Sequence, residues 1–285
     1  MDNSLNPTHF DVIDLLKRHG LQPEKKLGQN FLIEPRYLER VVEAGMIGKN
    51  DTILEIGAGL GNLTCLLGMQ AKEVFAVELD QDFIPILEET TRSFQNIHII
   101  QGDILKIDLE NVIQISNYLV VANIPYYITS NLIQKLLSTE RQPARIVLTI
   151  QKEVAERICA EPGRLSLLGL SVQVYGHPQI LSKIPAGAFY PAPKVDSAII
   201  RIEPYPDPII PAGTLPSFFR LARAGFSQKR KTLRNSLAAG LHQDKSSVEK
   251  LLADAGINPM RRAETLNLNE WAALTEIYEK QPPEF

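Results

Sequence analysis

The sequence contains only two cysteines, Cys65 and Cys159, and they are far apart. Their spacing is not that of a metal cluster, so we predict no metal site and two thiols in a reducing compartment. Long apolar runs are also missing, since none approaches the roughly 20 residues of a membrane span. The first residues lack the basic and apolar regions of a signal peptide. We therefore expect a cytoplasmic protein with no membrane partner.

Net charge is small, at −3 with a pI near 6.0, and does not by itself indicate a nucleic-acid binder. Acidic residues are nevertheless absent from positions 217–240. A solvated helix face would explain the basic residues of that window. The length of the window, and the helical spacing that would put Arg230 and Arg234 on one side, favour RNA contact. The predicted RNA-binding residues are Arg220, Arg223, Lys229, Arg230, Lys231 and Arg234.

Predicted strands alternate with helices through the first half of the chain. Thr52–Ile56 leads into the glycine turn 57–61 and then a helix, and three further strands end near Glu78, Asp103 and Asn123. This alternation is typical of an α/β fold with a mainly parallel sheet covered on both faces. Later, Ser171–Tyr175 alternates as a half-buried strand does. Beyond a proline-rich linker at 204–211, the periodicity is helical.

The tetrapeptide Asn123-Ile124-Pro125-Tyr126 follows a buried apolar strand. Proline keeps the preceding residue extended, so the Ile124 carbonyl is expected beside the Asn123 side chain. Two fixed acceptors with an aromatic ring nearby suit a planar group that carries an exocyclic NH2, such as adenine N6. Taken alone, the same residues would also suit an ordinary strand-to-loop turn.

The glycine turn is not the dinucleotide fingerprint, because Gly61 comes one residue too early for G-x-G-x-x-G. Glu55 would oppose a phosphate there, but it could orient loop amides or attract an ammonium group. Glu78 has the spacing of a carboxylate that binds ribose hydroxyls, and Asp103 could reach a purine amino group. Each acid alone would also suit a solvated loop. Together they predict a ligand with adenosine, a zwitterionic tail and no phosphate, as in S-adenosylmethionine.

Six motifs together give the chain a specific resemblance to a known family, from Lys25 to about Arg262. It closely resembles the ribosomal RNA adenine N6,N6-dimethyltransferases, bacterial small-subunit enzymes that dimethylate two adjacent adenosines near the 3′ end of 16S rRNA. The motifs are Gly28-Gln29-Asn30-Phe31-Leu32, Glu55-Ile56-Gly57-Ala58-Gly59-Leu60-Gly61, Asn123-Ile124-Pro125-Tyr126, Gln151-Lys152-Glu153-Val154, Phe189-Tyr190-Pro191-Ala192-Pro193-Lys194-Val195-Asp196-Ser197-Ala198 and Arg230-Lys231-Thr232-Leu233-Arg234-Asn235-Ser236-Leu237.

The resemblance implies a Rossmann-like class I S-adenosylmethionine-dependent methyltransferase fold. Such a fold has a mostly parallel seven-stranded sheet whose last strand is antiparallel. The expected organisation is an N-terminal extension at 1–24, a cofactor-binding methyltransferase domain at 25–204 and a C-terminal helical rRNA-binding domain at 212–285. The implied partner is 16S rRNA or the small ribosomal subunit precursor, bound by a monomer. A role in small-subunit biogenesis would follow.

The resemblance also implies roles for individual residues. Asn30 and Leu32 would close over the cofactor, Gly57 would underlie its methionine end, and Glu78 and Asp103 would bind ribose and adenine. Asn123 would lie at the reaction centre and also touch the cofactor. A second aromatic ring would face Tyr126 and help to sandwich an extruded base. The predicted catalytic residues are Asn123, Ile124, Pro125, Tyr126 and Phe189.

Other functions remain open at this stage. The 23S rRNA adenine methyltransferases of the macrolide-resistance type share the Asn-Ile-Pro-Tyr element, although the motifs around Lys194 and Arg230 resemble the small-subunit enzymes more. DNA and protein-glutamine methyltransferases are disfavoured by the basic C-terminal region. A mainly RNA-binding ribosome assembly factor is a further alternative, against which the intact Asn123 and Tyr126 argue. The glycine spacing and Glu55 exclude an NAD dehydrogenase.

Overall fold

The computed structural model describes residues 10–280, so the first nine residues of the predicted N-terminal extension lie outside the described residues. The chain divides into two compact units, which within the described residues are 10–155 with 179–204, and 156–178 with 205–280. Residues 156–178, predicted as part of the methyltransferase domain, therefore group with the helical unit. The division of function between 25–204 and 212–285 stays a prediction.

The first unit contains a seven-stranded sheet and a separate two-stranded ribbon. In chain order the strands are β1 (Phe31–Leu32), β2 (Thr52–Ile56), β3 (Glu73–Glu78), β4 (Ile97–Gln101), β5 (Leu119–Asn123), β6 (Arg145–Gln151), β7 (Gly176–Ile184), β8 (Phe189–Tyr190) and β9 (Ser197–Pro204).

The large sheet has the order β4-β3-β2-β5-β6-β9-β7. The pairs β3–β4, β2–β3, β2–β5 and β5–β6 are parallel, whereas β9 runs antiparallel to β6. Every residue of β2 is buried, as expected for a central parallel strand covered on both faces. The predicted fold class, a mostly parallel seven-stranded sheet whose last strand is antiparallel, is therefore confirmed.

Helices flank these strands in the first unit. They are α1 (Val12–Arg18), α2 (Pro35–Gly45), α3 (Asn62–Gln70), α4 (Ile84–Thr91), α5 (Leu109–Val112), α6 (Thr129–Ser138) and α7 (Lys152–Ile158), whose last residues belong to the second unit. Helix α2 begins at Pro35, whose missing N–H costs nothing in a first helical turn. Its apolar face packs with α3 on the strand side chains of one large core cluster.

The predicted strand Ser171–Tyr175 is wrong, because this stretch lies in and just after helix α8 (Leu167–Gln173). Ser166 caps the helix by accepting a hydrogen bond of 3.0 Å from the Gly169 N–H. Leu167, Leu170 and Val174 then recur at helical spacing and pack into the core of the second unit. The strand of this region, β7, begins one residue later.

The second unit is helical, as predicted for the chain beyond residue 212. After α8 it comprises α9 (Leu215–Phe226), α10 (Leu233–Leu241), α11 (Lys245–Asp254) and α12 (Leu268–Lys280). Its core forms around Trp271, whose ring is fully buried and stacks on Phe226 at 5.9 Å between centroids. Among the described residues, no helix is long and apolar enough to cross a membrane.

Helices α9 and α10 are in close contact where Gly240 meets Ala224. A Cβ built on Gly240 would lie 2.6 Å from the Ala224 Cα. We expect Gly240→Ala to force the two backbones apart and to destabilise the fold by about 1–3 kcal/mol in spite of the better helix propensity of alanine. Thermal unfolding measures the loss. Gly213→Ala is the matched control, because a Cβ there would meet open space, and an equal melting temperature in both variants would contradict the close packing.

Candidate active site

The carboxyl ends of four parallel strands meet at one edge of the sheet. The glycine turn follows β2, Glu78 ends β3, Asp103 follows β4, and Asn123 ends β5. A cavity lies at this edge, as is usual for ligand sites of open α/β sheets. It is lined by the predicted cofactor-binding residues Asn30, Leu32, Gly57, Glu78, Asp103 and Asn123. The structure therefore brings all six together.

The cavity is acidic. Its lining includes the carboxylates of Glu55, Glu78, Asp80 and Asp103, and within the described residues no Lys, Arg or His side chain lines it. The remaining lining is largely apolar. The cavity is concave and open to solvent on one side, as small-molecule sites commonly are. Such a lining opposes phosphates and favours a ligand with positive charge.

The glycine turn is held by main-chain bonds to β3. The N–H groups of Gly57 and Ala58 both donate to the Val77 carbonyl, at 2.8 and 3.2 Å. Gly57 has φ +73°, a left-handed conformation that side-chain-bearing residues rarely adopt. A Cβ on Gly57 would also lie 3.6 Å from the Asn123 carbonyl oxygen. The positive φ of Gly57 is therefore the reason for glycine at this position, since a Cβ there would make only an ordinary contact.

Glu78 connects the turn to β3 through its carboxylate. One oxygen accepts the Gly59 N–H at 2.7 Å, and the other accepts the Asp80 N–H at 2.8 Å. The side chain is only 7% exposed, and burial raises its pKa in spite of these two bonds. A carboxylate has about four acceptor sites, so two remain for ribose hydroxyls. Glu78, and not Glu55 as one of the alternatives from the sequence has it, therefore orients the loop amides.

Asp103 lies on the loop after β4. Its carboxylate accepts the Leu105 N–H at 3.0 Å and pairs with the exposed Lys106 at 3.4 Å. Lys135 on α6 holds the same loop from behind, because its ammonium donates to the carbonyls of Ile104 and Ile107 at 2.9 and 2.5 Å. No sequence motif pointed to Lys135, since its role depends on a contact about 30 residues away in the chain.

The Asn123 side chain has a fixed orientation. Its Nδ2 donates to the Asn30 carbonyl at 3.1 Å, and Asn30 Nδ2 in turn donates to the Gly28 carbonyl at 3.0 Å. Because the donor end of the Asn123 amide is occupied, its Oδ1 is left as the acceptor. Gln29 anchors the same segment by donating to Asp80 at 2.7 Å. The Gly-Gln-Asn-Phe-Leu motif thus forms one wall of the cavity and orients Asn123.

The predicted aromatic sandwich is not present in this structure. The Tyr126 hydroxyl shares a hydrogen bond of 2.6 Å with Ser197, and burial raises the Tyr126 pKa. Phe189 is only 3% exposed and lies in the large core cluster with Leu32. The reason is the ribbon register, in which Phe189 pairs with Leu32 and both side chains enter the core. Neither Tyr126 nor Phe189 lines the cavity, and their part in stacking stays a prediction.

An aromatic ring that the sequence analysis overlooked does lie at the cavity. Tyr127 is 58% exposed and lines the cavity together with Ile124 and Pro125. Its ring packs against Gly28, where a Cβ would be 3.4 Å from Tyr127 Cδ1. The only sequence signal for Tyr127 was its position immediately after the Asn-Ile-Pro-Tyr element.

The predicted RNA-binding residues of the second unit differ in exposure. Arg220, Arg223, Lys229, Arg230 and Lys231 are exposed, and Arg220 lies over the Tyr278 ring at 6.0 Å. Arg234 is partly buried and pairs with Glu249. The predicted helical relation of Arg230 and Arg234 is wrong, because α10 begins only at Leu233 and Arg230 belongs to the preceding turn. The exposed run 229–231 forms no ion pair with any described residue.

Comparison with known proteins shows similarity over nearly the whole chain. Residues 20–280 match the family profile of the ribosomal RNA adenine dimethylases. Ribosomal RNA small subunit methyltransferase A of Dehalococcoides mccartyi (strain ATCC BAA-2266 / KCTC 15142 / 195) is 43% identical over 270 residues, covering 94% of this chain and 93% of the relative. The protein of the same name from Anoxybacillus flavithermus is 42% identical over 274 residues, covering 92% of each chain.

Two solved structures share the fold over most of this chain. A dimethyladenosine transferase from Plasmodium falciparum superposes with a TM-score of 0.75 at 27% identity, covering 88% of this chain and 98% of that one. The 23S rRNA methyltransferase ErmE superposes with a TM-score of 0.71 at 25% identity, covering 88% of this chain and all of that one.

Proposed function

The chain belongs to the ribosomal RNA adenine dimethylase family, and from that premise we propose its reaction. Methyl groups are transferred from S-adenosylmethionine to N6 of two adjacent adenosines near the 3′ end of 16S rRNA, giving N6,N6-dimethyladenosines. The strongest support is the oriented Asn123 amide at the edge of an acidic cavity. An assembly role in the small subunit would accompany this activity.

The residues present fit the methyl donor. S-Adenosylmethionine supplies a methyl group on a positively charged sulfur and carries an ammonium group but no phosphate. Four carboxylates and no basic side chain among the described lining residues suit these charges. Gly57 lines the cavity where the amino-acid end would lie, while Glu78 and Asp103 offer acceptors for ribose and adenine. The resemblance of the sequence motifs to those of the family implies these assignments of Gly57, Glu78 and Asp103.

The chain activates adenine N6 by positioning it. The nitrogen is a poor nucleophile because its lone pair is delocalised into the ring. In the proposed complex the Asn123 Oδ1 and the Ile124 carbonyl accept its two N–H groups, which favours a pyramidal nitrogen with its lone pair directed at the methyl group. Holding two reactants in line can remove about 7–11 kcal/mol from a barrier. The proton of the alkylated nitrogen is acidic and leaves to water, so no dedicated base is required.

Stacking of the extruded adenine is assigned to Tyr127, which lines the cavity, together with Tyr126 and Phe189, which do not line it in this structure. Tyr127 is exposed, and Tyr126 is separated from the acceptor pair only by Pro125. Phe189 would join them only if β8 moved away from β1 when RNA binds. Base stacking on an aromatic side chain contributes about 1–3 kcal/mol per base.

The substrate class is ribosomal RNA, and we propose the small-subunit precursor in particular. The full-length relatives at 42–43% identity carry small-subunit names. ErmE, a 23S rRNA methyltransferase, is similar in fold but only 25% identical. We retain the prediction of a monomer acting in the cytoplasm, where ribosomes assemble. In this proposal residues 25–204 carry the chemistry and residues 212–285 bind rRNA.

A direct assay tests the proposed reaction. Small subunits from a strain that lacks this methylation are incubated with the protein and labelled cofactor, and the rRNA is digested and analysed by mass spectrometry. Two adjacent dimethyladenosines near the 3′ end of 16S rRNA are expected. Large subunits serve as the control substrate, and methylation of 23S rRNA instead would overturn the choice of substrate.

Glu78 is expected to be needed for cofactor binding. Glu78→Ala removes the acceptors for ribose, and hydrogen bonds to a charged group contribute about 1.5–3 kcal/mol, so affinity should fall roughly 10- to 100-fold. Isothermal calorimetry with S-adenosylmethionine measures this. Asp82→Ala is the control, because Asp82 is exposed and does not line the cavity. Equal losses in both variants would mean that general charge, not a ribose contact, is responsible.

Asn123→Ala should separate chemistry from RNA binding. Loss of one group that stabilises a transition state typically lowers kcat by about 10²–10³-fold, whereas the basic residues of the second unit should keep rRNA affinity nearly intact. Single-turnover methylation and a filter-binding titration give the two values. A variant that binds rRNA as poorly as it methylates would show that Asn123 is structural.

The exposed run 229–231 should contribute most to the salt dependence of rRNA binding. Each phosphate contact releases about one counterion, so replacing Lys229, Arg230 and Lys231 by glutamine should lower the salt slope by about 3. Arg234→Gln is the matched control, because Arg234 is already paired with Glu249. Binding titrations at several salt concentrations compare them. A slope unchanged in the triple variant would mean that 229–231 is only a solvated turn.

A further inference from the structure

Glu55 is a buried carboxylate whose function the proposed reaction leaves open. It is 1% exposed and lines the cavity from the C-terminal part of β2, two residues before the glycine turn begins at Gly57. Its Oε2 has no hydrogen-bond partner among the described residues. Glu78 differs, since both of its oxygens accept main-chain N–H groups. An unpartnered buried carboxylate is costly, and the cost is reduced when the group is protonated or meets a cation.

Among the described residues, no Lys, Arg or His side chain lines the cavity beside Glu55. Glu78 faces it from β3, and Cys65 and the Thr64 hydroxyl lie on α3. The strand on the other side, β5, ends in the uncharged Asn123. Burial raises the pKa of Glu55 to about 8, a value that includes a lowering by the hydrogen bond with Thr64 and a smaller rise caused by the Glu78 carboxylate. Glu55 is therefore mostly protonated at pH 7 in the ligand-free protein.

We propose that Glu55 is a proton-linked counter-ion for the positively charged end of the cofactor. It is neutral in the free protein, and it ionises and releases its proton to solvent when the cofactor enters. The cofactor carries two positive groups, the ammonium and the sulfonium, and either could be the partner of Glu55. This inference rests on the methyl donor proposed above. It adds a release of a proton on cofactor binding, which the methyl transfer itself does not require.

Such a counter-ion makes cofactor affinity depend on pH. A nearby cation lowers the pKa of the bound Glu55, so the complex holds fewer protons than the free protein, and affinity rises with pH between the bound and free pKa values. If the bound pKa lies below 6, affinity should rise about tenfold between pH 6 and pH 7. The amine of the cofactor has an ordinary pKa of about 7.7–8.0, so it stays largely charged in this range.

Calorimetry in two buffers tests the proton release. S-Adenosylmethionine is titrated into the wild-type protein at pH 7 in phosphate and in Tris, whose ionisation enthalpies differ. The dependence of the binding enthalpy on the buffer should correspond to close to one proton released per cofactor. Glu55→Gln, which mimics the protonated form and is expected to fold, should release none, bind roughly 10- to 100-fold more weakly and lose the affinity change between pH 6 and 7.

Two analogues identify the cation. S-Adenosylhomocysteine keeps the ammonium and lacks the sulfonium, whereas 5′-methylthioadenosine lacks both. If S-adenosylhomocysteine still releases a proton and 5′-methylthioadenosine does not, the ammonium is the partner of Glu55. If neither analogue releases a proton, the sulfonium is the partner. Equal release with 5′-methylthioadenosine, or release unchanged in Glu55→Gln, would overturn the inference. Wild-type binding without proton release would also overturn it while leaving the proposed function intact, whereas no binding at all would contradict the proposed function itself.

Discussion

The bond from the Gly59 N–H to the Glu78 carboxylate connects the two strand ends on which the cavity depends. It fixes the glycine turn after β2 against the end of β3, together with the bonds from Gly57 and Ala58 to Val77. The backbone is left-handed at Gly57 and Gly59, a conformation that favours glycine. The position of the turn between β2 and β3 therefore depends on these two glycines as well as on the hydrogen bonds. The same arrangement buries Glu78, and the nearby Glu78 carboxylate helps to raise the pKa of Glu55.

The active-site geometry is built by long-range hydrogen bonds between short motifs. Asn123 and Asn30 are 93 residues apart in sequence, yet the bond between them orients the amide. Gln29 and Asp80 form a comparable bond across 51 residues. In the proposed mechanism, which uses no dedicated base, methyl transfer depends on such positioning, because small displacements of the reacting atoms are costly. The motifs therefore act together, and none of them alone could provide the site.

Local patterns predicted most of the fold and the cofactor side of the site. Strands of β-branched residues with glycine or acidic endings placed Gly57, Glu78, Asp103 and Asn123 at one edge, because parallel strands all end there. The features that local patterns did not predict depend on packing between residues distant in sequence. The stretch at 171–175 alternates like a strand but packs as a helix, Phe189 is drawn into the core by its pairing with Leu32, and Arg234 is occupied by Glu249. Such partners are distant in sequence, so periodicity could not find them.

The small net charge of the chain conceals two opposite local fields. In the first unit, four carboxylates line the cavity without a basic side chain among the described lining residues. In the second unit, residues 217–240 lack acidic residues and expose Arg223 and the run 229–231. A cationic cofactor and a polyanionic RNA need opposite surroundings, and separating the charges between two units meets both needs. The pI near 6.0 reports only the total charge and is therefore compatible with RNA binding by a locally basic surface.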